Sequence, residues 1–466
     1  WVWTAAVVNS IRVEDSSRPI VSGMHSLQPG GGALWRMQDQ GELTDVLTTH
    51  PYPIFTPHCD NDPVNTIRGC LHATAESRYY ADIGNKPVLA EELGTLGPMI
   101  SSEGVAANYV RTALFSLWSH DCHGLLWWCG YDQDRLQHAP YDWHSHEREL
   151  GLIRSDRSPK PVFSVLGAFG TFLQQLPISK LPPRVTEAVC ILTHHQDQWA
   201  AAFSSFIMAK QAGFDVVFQY ADEPLKDAGL YLMPSVSGSR SFSRRFWLEL
   251  EKRVRDGATL YLSHDDCMLS PFNATFGAAV QTRQRRTGPV EIHMDKSTGL
   301  PGYSVPSSIK LELKVERATV LGIEPDGNPA FICAPLDKGC VFFLSAPIEK
   351  VLSQTPGGYQ EPKTCELWQI YRYIARPFMH DRILDKDHGD VGITEHVLDS
   401  VRRVAVLINY SPEPADLGVQ VKPGWSLIES WYGDPPVVSD TEFICSIAAN
   451  DALVVLLSPT AELEMH

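Results

Sequence analysis

Lys86-Pro87-Val88-Leu89-Ala90-Glu91-Glu92-Leu93-Gly94-Thr95 is a short apolar run that delivers two carboxylates into a glycine-containing loop. Parallel strands buried on both faces read as continuous apolar runs, and in α/β barrels the reactive groups sit at the C-terminal ends of those strands. Charge at the end of this run is therefore the first place to look for chemistry. Further along, His123-Gly124-Leu125-Leu126-Trp127-Trp128-Cys129-Gly130-Tyr131-Asp132 repeats the design with aromatics at its rim. A carboxylate beside flat apolar rings suits a sugar site: the rings stack on the C–H face of a pyranose while the acid attacks the anomeric carbon.

Outward from that stretch, the pattern predicts a helix over residues 1–12 and strands over 19–25 and 45–50. A helix over 67–82, the Glu92 strand, a helix over 104–119 and the Trp128 strand follow. A run of βα units of this kind builds a parallel barrel or sheet. After the Pro-rich hinge Leu176-Pro177-Ile178-Ser179-Lys180-Leu181-Pro182-Pro183, strands over 187–193, 214–220, 230–233 and 258–263 alternate with helices over 197–213 and 242–254. A late strand over 339–344 and a closing helix over 366–375 complete this part. That alternation predicts a flavodoxin-like or amidotransferase-like sheet. Neither a Gly-x-Cys-x-Gly elbow nor a Gly-x-Gly-x-x-Gly phosphate loop occurs in it. The remaining β-rich runs, 403–409, 418–421, 425–430 and 452–457, lie between Pro, Gly and Asp clusters and predict an antiparallel β-sandwich. The expected domains are thus 1–183, 184–380 and 381–466.

Glu92-Leu93-Gly94 after a strand resembles the nucleophile motif of the clan A glycoside hydrolases, families 5, 42 and 2 among them. His50-Pro51-Tyr52 resembles the His-x-Tyr that ends the sixth barrel strand of family 5, and Trp128 the tryptophan that ends strand eight. The segment from Glu149 to Pro161 resembles the way these barrels hand over to their last helix. The likeness covers roughly residues 1–180, by pattern rather than by alignment. It implies that the strands present are five to eight of a (β/α)8 barrel, a domain that takes about 250 residues when complete. The first half, with the acid/base glutamate that follows strand four in this clan, is then expected from polypeptide outside this chain. The middle domain resembles the second domain of family 42, which contributes to trimer formation there.

Composition narrows the partners. A net charge of −16 with no basic run argues against nucleic acid and against an anionic membrane surface, both of which need clustered Lys and Arg. No apolar stretch reaches the ~18 residues of a membrane helix, and Trp1-Val2-Trp3-Thr4-Ala5-Ala6 lacks the basic segment that opens a signal peptide. The ten cysteines include no Cys-x-x-Cys pair and no framework spacing, so they read as reduced thiols of a cytoplasmic protein. The resemblance implies neither metal nor organic cofactor.

Each candidate residue has two readings. Glu92 is either the nucleophile or a salt-bridged loop carboxylate, with Glu91 as the fallback nucleophile. Strict alternation along a strand points Glu91 to the opposite face. His50 and Tyr52 either fill the barrel top or serve the site, Tyr52 by hydrogen-bonding the nucleophile and His50 by binding a sugar hydroxyl. His25 either contacts substrate or packs a loop. Trp128 is the substrate-stacking candidate, and Trp127 is expected on the other face. Asp132, Asp134, Tyr141, Trp143, His144 and Glu147 fall in the long loop after the Trp128 strand, where barrel enzymes build subsites. The clusters at 58–62 and 120–123 lack metal-ligand spacing and read as polar loops. Trp425, Trp431 and Tyr432 are either sugar-stacking rings or sandwich core.

The mechanism the resemblance implies is a retaining double displacement by an exo-acting β-mannosidase, β-galactosidase or β-glucosidase. A noncatalytic carbohydrate-binding or scaffold protein on a degenerate barrel is the alternative. An amidotransferase-like hydrolase would need a Cys or Ser on a sharp strand-to-helix elbow, which no motif marks.

Overall fold

The computed structural model describes residues 1–25, 27, 36–360, 366–439 and 441–460. They form two compact units, Trp1–Val185 with Arg382–His466, and Thr186–Asp381.

The first unit begins with helix α1 (Val2–Glu14), which buries none of its residues, and the short helix α2 (Met37–Leu43). A parallel three-stranded sheet follows in the order β1 (Leu47–Thr49), β2 (Val88–Leu93), β3 (Leu125–Trp127). The strand expected over 19–25 is reduced to a single parallel bridge between Val21 and Val46. Beyond it, side chains replace the ladder: Thr48 Oγ1 accepts from the Met24 N–H at 2.7 Å, and Ser22 Oγ accepts from the Thr48 N–H at 2.9 Å. Pro19 and Gly23 explain the shortness, one lacking a donor and the other sitting at φ +63°.

Between β1 and β2 runs α3 (Ile67–Gly84), in which every residue except Arg78 is buried. Asn85 at φ +52° closes it in the left-handed conformation that ends many helices. So polar a helix can be buried only because its side chains are paired. Arg68 Nε donates to Asp62 at 2.6 Å, Thr74 pairs with Ser116 at 2.6 Å, and Glu76 accepts from Thr56 at 2.7 Å and also from Thr49. The helix α4 (Glu103–Ser119) starts at Ser102, whose hydroxyl accepts from the Val105 N–H, with Glu103 favourably placed at the positive helix end. The chain then passes α5 (Ser145–Arg148) and reaches α6 (Pro161–Gln175), opened by proline at its first position.

In the second unit, β4 (Ala188–Leu192), α7 (Gln198–Ala212), β5 (Val216–Tyr220), β6 (Leu230–Val236), α8 (Arg244–Arg255) and β7 (Thr259–His264) alternate as expected. Residues 272–336 do not. After α9 (Phe272–Phe276) come six strands: β8 (Ala278–Arg285), β9 (Val290–Met294), β10 (Tyr303–Val305), β11 (Ile309–Val315), β12 (Thr319–Ile323) and β13 (Pro329–Leu336). Then β14 (Gly339–Leu344), α10 (Ile348–Gln354) and a closing helix α11 (Trp368–Ala375) finish the unit. Nine strands make one sheet, β10-β9-β12-β13-β14-β7-β6-β4-β5. The five from β14 to β5 are parallel and the other four extend the sheet antiparallel. β8 and β11 pair separately.

The chain returns to the first unit through two four-stranded antiparallel sheets. One is β15 (Leu384–Lys386), β18 (Ala415–Val421), β21 (Glu442–Ile447) and β20 (Val437–Val438). The other is β16 (Val391–Val397), β17 (Arg403–Asn409), β22 (Ala452–Pro459) and β19 (Trp425–Tyr432). Ala415, Leu417, Val419 and Val421 alternate inward to meet Val391, Ala405, Phe443 and Leu453 in one core. This part is pinned to the first segment: Ser116 Oγ lies 3.2 Å from the Tyr410 hydroxyl, and Asn450 donates to the Asn65 carbonyl at 2.8 Å. Its three singled-out aromatics are engaged structurally. Arg403 lies over Trp425, Trp431 donates to Glu429, and Tyr432 donates to Asp451 and packs 4.4 Å from Phe115.

Candidate active site

Thr49 of β1 is in register with Ala90 of β2, so the residues just beyond, His50 on one strand and Glu91 on the other, emerge side by side. Regular alternation would then send Glu91 and Glu92 to opposite faces. It does not hold here. Ala90 pairs with Leu125 and Leu93 with Trp127, three steps along β2 against two along β3. This bulge turns both carboxylates toward His50, because an extra residue re-aims the side chains beside it. His50 Nε2 lies 3.4 Å from Glu91 Oε2 and His50 Nδ1 3.3 Å from Glu92 Oε2. The expectation that Glu91 faces away is thereby corrected.

The Tyr52 hydroxyl donates to Glu92 Oε2 at 2.9 Å. Burial, and then the negative charge of Glu92, push the Tyr52 pKa well above the usual tyrosine value, so this group stays a donor. The His25 ring packs against that of His50, centroids 4.9 Å apart, and the His25 carbonyl accepts from the Tyr80 hydroxyl at 2.6 Å. Five of the singled-out residues, His25, His50, Tyr52, Glu91 and Glu92, therefore converge on one polar centre. The carboxylates keep about a quarter to a third of their side-chain surface open, 25% for Glu92 and 31% for Glu91. Groups so exposed can meet a ligand without a large desolvation cost.

Glu76 holds this centre from beneath. Its buried carboxylate accepts from Thr49 and Thr56, which bracket His50 and Tyr52 in sequence, and lies 3.2 Å from His72 Nε2. Sequence reasoning missed it. The only available sign was a helix too polar on all sides to show an apolar stripe.

Trp128 joins the centre through its backbone. Its N–H donates to the Leu93 carbonyl at 2.9 Å, and its own carbonyl would lie 3.2 Å from a Cβ at Gly94, a close approach that glycine permits. The residue is 39% exposed and, with Trp127, lines a cleft of about 390 Å³ that also includes Thr95, Leu96, Asp134 and Arg135. Glu91, Glu92, His50 and Tyr52 do not line that cleft. Trp127 also packs against Val110, Leu114 and Val162 beneath the helices, whereas Trp128 is exposed. Among the loop residues, Asp132 is tied to Lys160 at 2.7 Å and to the Gly151 N–H at 2.8 Å, and Asp134 to Ser155. These bonds shape the loop, and both carboxylates also border the cleft. Trp143 is largely exposed, and His138 packs on Tyr141.

The polar clusters considered for metal are occupied otherwise: Asp62 pairs with Arg68, and Asp121 with Arg184 and Arg78. Among the described residues no group of three potential ligands converges. In the second unit, Ser235 at the end of β6 does adopt the φ of +46° that an elbow nucleophile needs. It is buried, however, and its hydroxyl donates to Glu349 at 2.8 Å, which leaves no open face for a substrate.

No family model matches the chain, and no curated protein sequence does. Solved structures share its fold. A β-galactosidase from Bacillus circulans sp. alkalophilus superposes with a TM-score of 0.68 at 12% identity, over 97% of this chain and 66% of that one. The exo-β-1,4-mannosidase Op5Man5 from Opitutaceae bacterium strain TAV5 does so with a TM-score of 0.63 at 18% identity, over 80% and 69%. An α-L-fucosidase isoenzyme 2 from Paenibacillus thiaminolyticus reaches 0.65 at 11% identity, over 98% and 71%. At the level of fold, these are the neighbours that a resemblance to the clan A glycoside hydrolases leads one to expect. The chain spans about two thirds of the length of these structures.

Proposed function

We propose that this chain is the nucleophile-bearing part of a retaining β-glycoside hydrolase, with Glu92 as the nucleophile. The observation that carries the reading is the pairing of Glu92 with Tyr52 at 2.9 Å and His50 at 3.3 Å, at the C-terminal end of a parallel strand. The Tyr52 hydroxyl donates to one carboxylate oxygen and fixes its direction, which leaves the other oxygen to attack the anomeric carbon. A second carboxylic acid, about 5 to 5.5 Å away, protonates the leaving oxygen and later activates water. We assign that role to a glutamate outside this chain, on the missing first half of a (β/α)8 barrel whose strands five to eight are the Val21 segment, β1, β2 and β3. Apolar surface supports a missing partner: Trp3 on α1 is 77% exposed and Leu126 on β3 is 54% exposed. Trp128 then stacks on the sugar, and His25 and His50 contact its hydroxyls.

The remaining architecture follows the same reading. Residues 184–380 form a flavodoxin-like α/β domain that serves oligomerisation, as a trimer, and residues 381–466 a supporting β-sandwich. The strand order β5-β4-β6-β7-β14, second-first-third-fourth-fifth along the chain, favours the flavodoxin-like assignment. The nine described cysteines, all thiols, favour a cytoplasmic setting; Cys365 lies outside the described residues. No helix among the described residues is long and apolar enough to cross a membrane. The substrate is a small β-linked mannoside, galactoside or glucoside cleaved from its end.

The test is a panel of 2,4-dinitrophenyl 2-deoxy-2-fluoro-β-glycosides with manno, gluco and galacto configuration. Their activated leaving group needs little protonation, so a nucleophile can be trapped as its glycosyl ester. Peptide mapping should place the added sugar on Glu92. An adduct on Glu91 transfers the role. No adduct with any sugar, even with the upstream polypeptide restored, leaves the noncatalytic sugar-binding reading.

A further inference from the structure

The second unit carries a pair of thiols that the proposed glycosidase chemistry does not use. In the β13–β14 hairpin, Cys333 is in register with Phe342 and Pro335 with Cys340. Residues two apart along a strand share a face, so Cys340 lies diagonally across from Cys333 on the same side of the sheet. The two thiols are close enough to influence each other's titration. Cys340 Sγ is also 3.3 Å from Thr259 Oγ1 on β7, and the Tyr373 ring of α11 sits 6.2 Å from that of Phe342, the residue opposite Cys333. Neither thiol is buried, whereas Cys59, Cys70, Cys190, Cys267 and Cys445 are.

Position decides which sulfur reacts. A hydroxyl beside a sulfur can stabilise its thiolate, and Thr259 stands 3.3 Å from Cys340; the neighbouring thiol lowers the Cys340 pKa against the opposing effect of burial, and that of Cys333 is raised. A partly exposed thiolate with a second thiol in contact is the arrangement of a thiol-based redox couple.

We propose that Cys333 and Cys340 are a redox-active dithiol that closes into an intramolecular disulfide when the protein meets a hydroperoxide. The Cys340 thiolate attacks the peroxide, the O–O bond breaks, and the departing oxygen leaves as water or an alcohol after taking a proton. Cys340 is now a sulfenic acid. The Cys333 sulfur attacks it, the S–S bond forms, the S–O bond breaks, and the proton of Cys333 leaves with the hydroxyl as water. The peroxide gains two electrons and the pair loses two. Diagonal positions, about 7–8 Å apart at Cα, lie just beyond the usual disulfide reach of about 4.4–6.8 Å, so the hairpin backbone must move for the bond to close, and the bond formed is strained and easily reduced.

Lys338 separates the two cysteines, so trypsin releases them on different peptides. The chain is treated with stoichiometric hydrogen peroxide, its remaining thiols are blocked with N-ethylmaleimide, and it is digested without reductant for mass spectrometry. A cross-linked pair of peptides, joined through Cys333 and Cys340 and separated by dithiothreitol, is expected. In Cys333→Ser, dimedone should capture a sulfenic acid at Cys340. In Cys340→Ser, Cys333 should remain alkylatable. Sulfinic or sulfonic acid at Cys340 of the unaltered chain without a cross-link overturns the proposal. So does a disulfide from either residue to another cysteine, or survival of both thiols while others oxidise. The map of the unaltered chain is decisive even if a variant fails to fold.

Discussion

One imidazole spans two carboxylates: His50 stands 3.3 Å from Glu92 by Nδ1 and 3.4 Å from Glu91 by Nε2. A neutral imidazole can donate to only one of them, and a protonated one to both. The two glutamates are therefore linked through a ring that His25 backs on one side.

The first consequence is a graded response to two isosteric changes, read with the complete enzyme on aryl β-glycosides. Glu92→Gln removes the attacking charge and should lower kcat by several orders of magnitude with little change in KM. Glu91→Gln weakens only a charge-assisted hydrogen bond to His50, worth about 1.5–3 kcal/mol, so a loss on the order of 10- to 100-fold is the upper bound. Equal losses in the two variants would remove the distinction between nucleophile and support.

Tyr52→Phe deletes one donor to Glu92 and should cost roughly 1 kcal/mol of stability and at least a comparable part of the catalytic barrier. Alkaline stability gives a second readout. Unfolded tyrosine releases its proton near pH 10 while Tyr52 in the folded chain keeps it, so above pH 10 the unfolded state holds fewer protons and stability falls as pH rises. The fall in Tm between pH 9 and 11 should be shallower in Tyr52→Phe. An unchanged slope would show that the hydroxyl does not bind Glu92 in solution.

Acid should act on the second unit through His264. Burial holds its pKa down to about 4, against an ordinary value of 6.5, and its Nε2–H donates to the Cys267 carbonyl. The unfolded chain takes up the proton first as pH falls. Stability is thus complete above pH 6.5 and declines toward pH 4, by about 3 kcal/mol in all. His264→Asn, which does not titrate, should flatten the urea midpoint between pH 7 and pH 4.5. A parallel decline in both proteins would assign the acid limb elsewhere.

Glu76→Ala should damage stability and site together. It strands the hydroxyls of Thr49 and Thr56 in a buried place, at a cost of roughly 2–4 kcal/mol, and frees the loop that carries His50 and Tyr52. Calorimetry reports the first effect and the rate of sugar trapping on Glu92 the second. Full trapping at an unchanged rate in a destabilised variant would show that the loop is held by other contacts.

The parallel strands of residues 1–180 were legible because each is a brief apolar run closed by polar residues. His25 and the Glu91-Glu92 pair stood out on that basis, whereas the choice of Glu92, His50 and Tyr52 rested on the resemblance to the clan A motifs. Glu91 could not be placed, because the two-residue period holds only while the ladder is regular and a bulge leaves no mark in Ala90-Glu91-Glu92-Leu93. Residues 278–336 were opaque for another reason. Strands such as β8, with Gln281, Arg283 and Arg285 along it, are half exposed and carry too few apolar residues to announce themselves. Glu76 was hidden by the opposite condition, a buried helix whose polar residues look like a solvated face.

The first unit is discontinuous in the chain. Ser116, Asn65 and Val185 find their partners in Tyr410, Asn450 and Glu395, on the far side of an insertion of roughly two hundred residues. At a synthesis rate of about 5–20 residues per second, those partners reach the growing chain about 10–80 s after the residues that await them. The nascent first segment must spend that interval with its sandwich-facing surface open, which makes it the natural point of engagement for chaperones during translation.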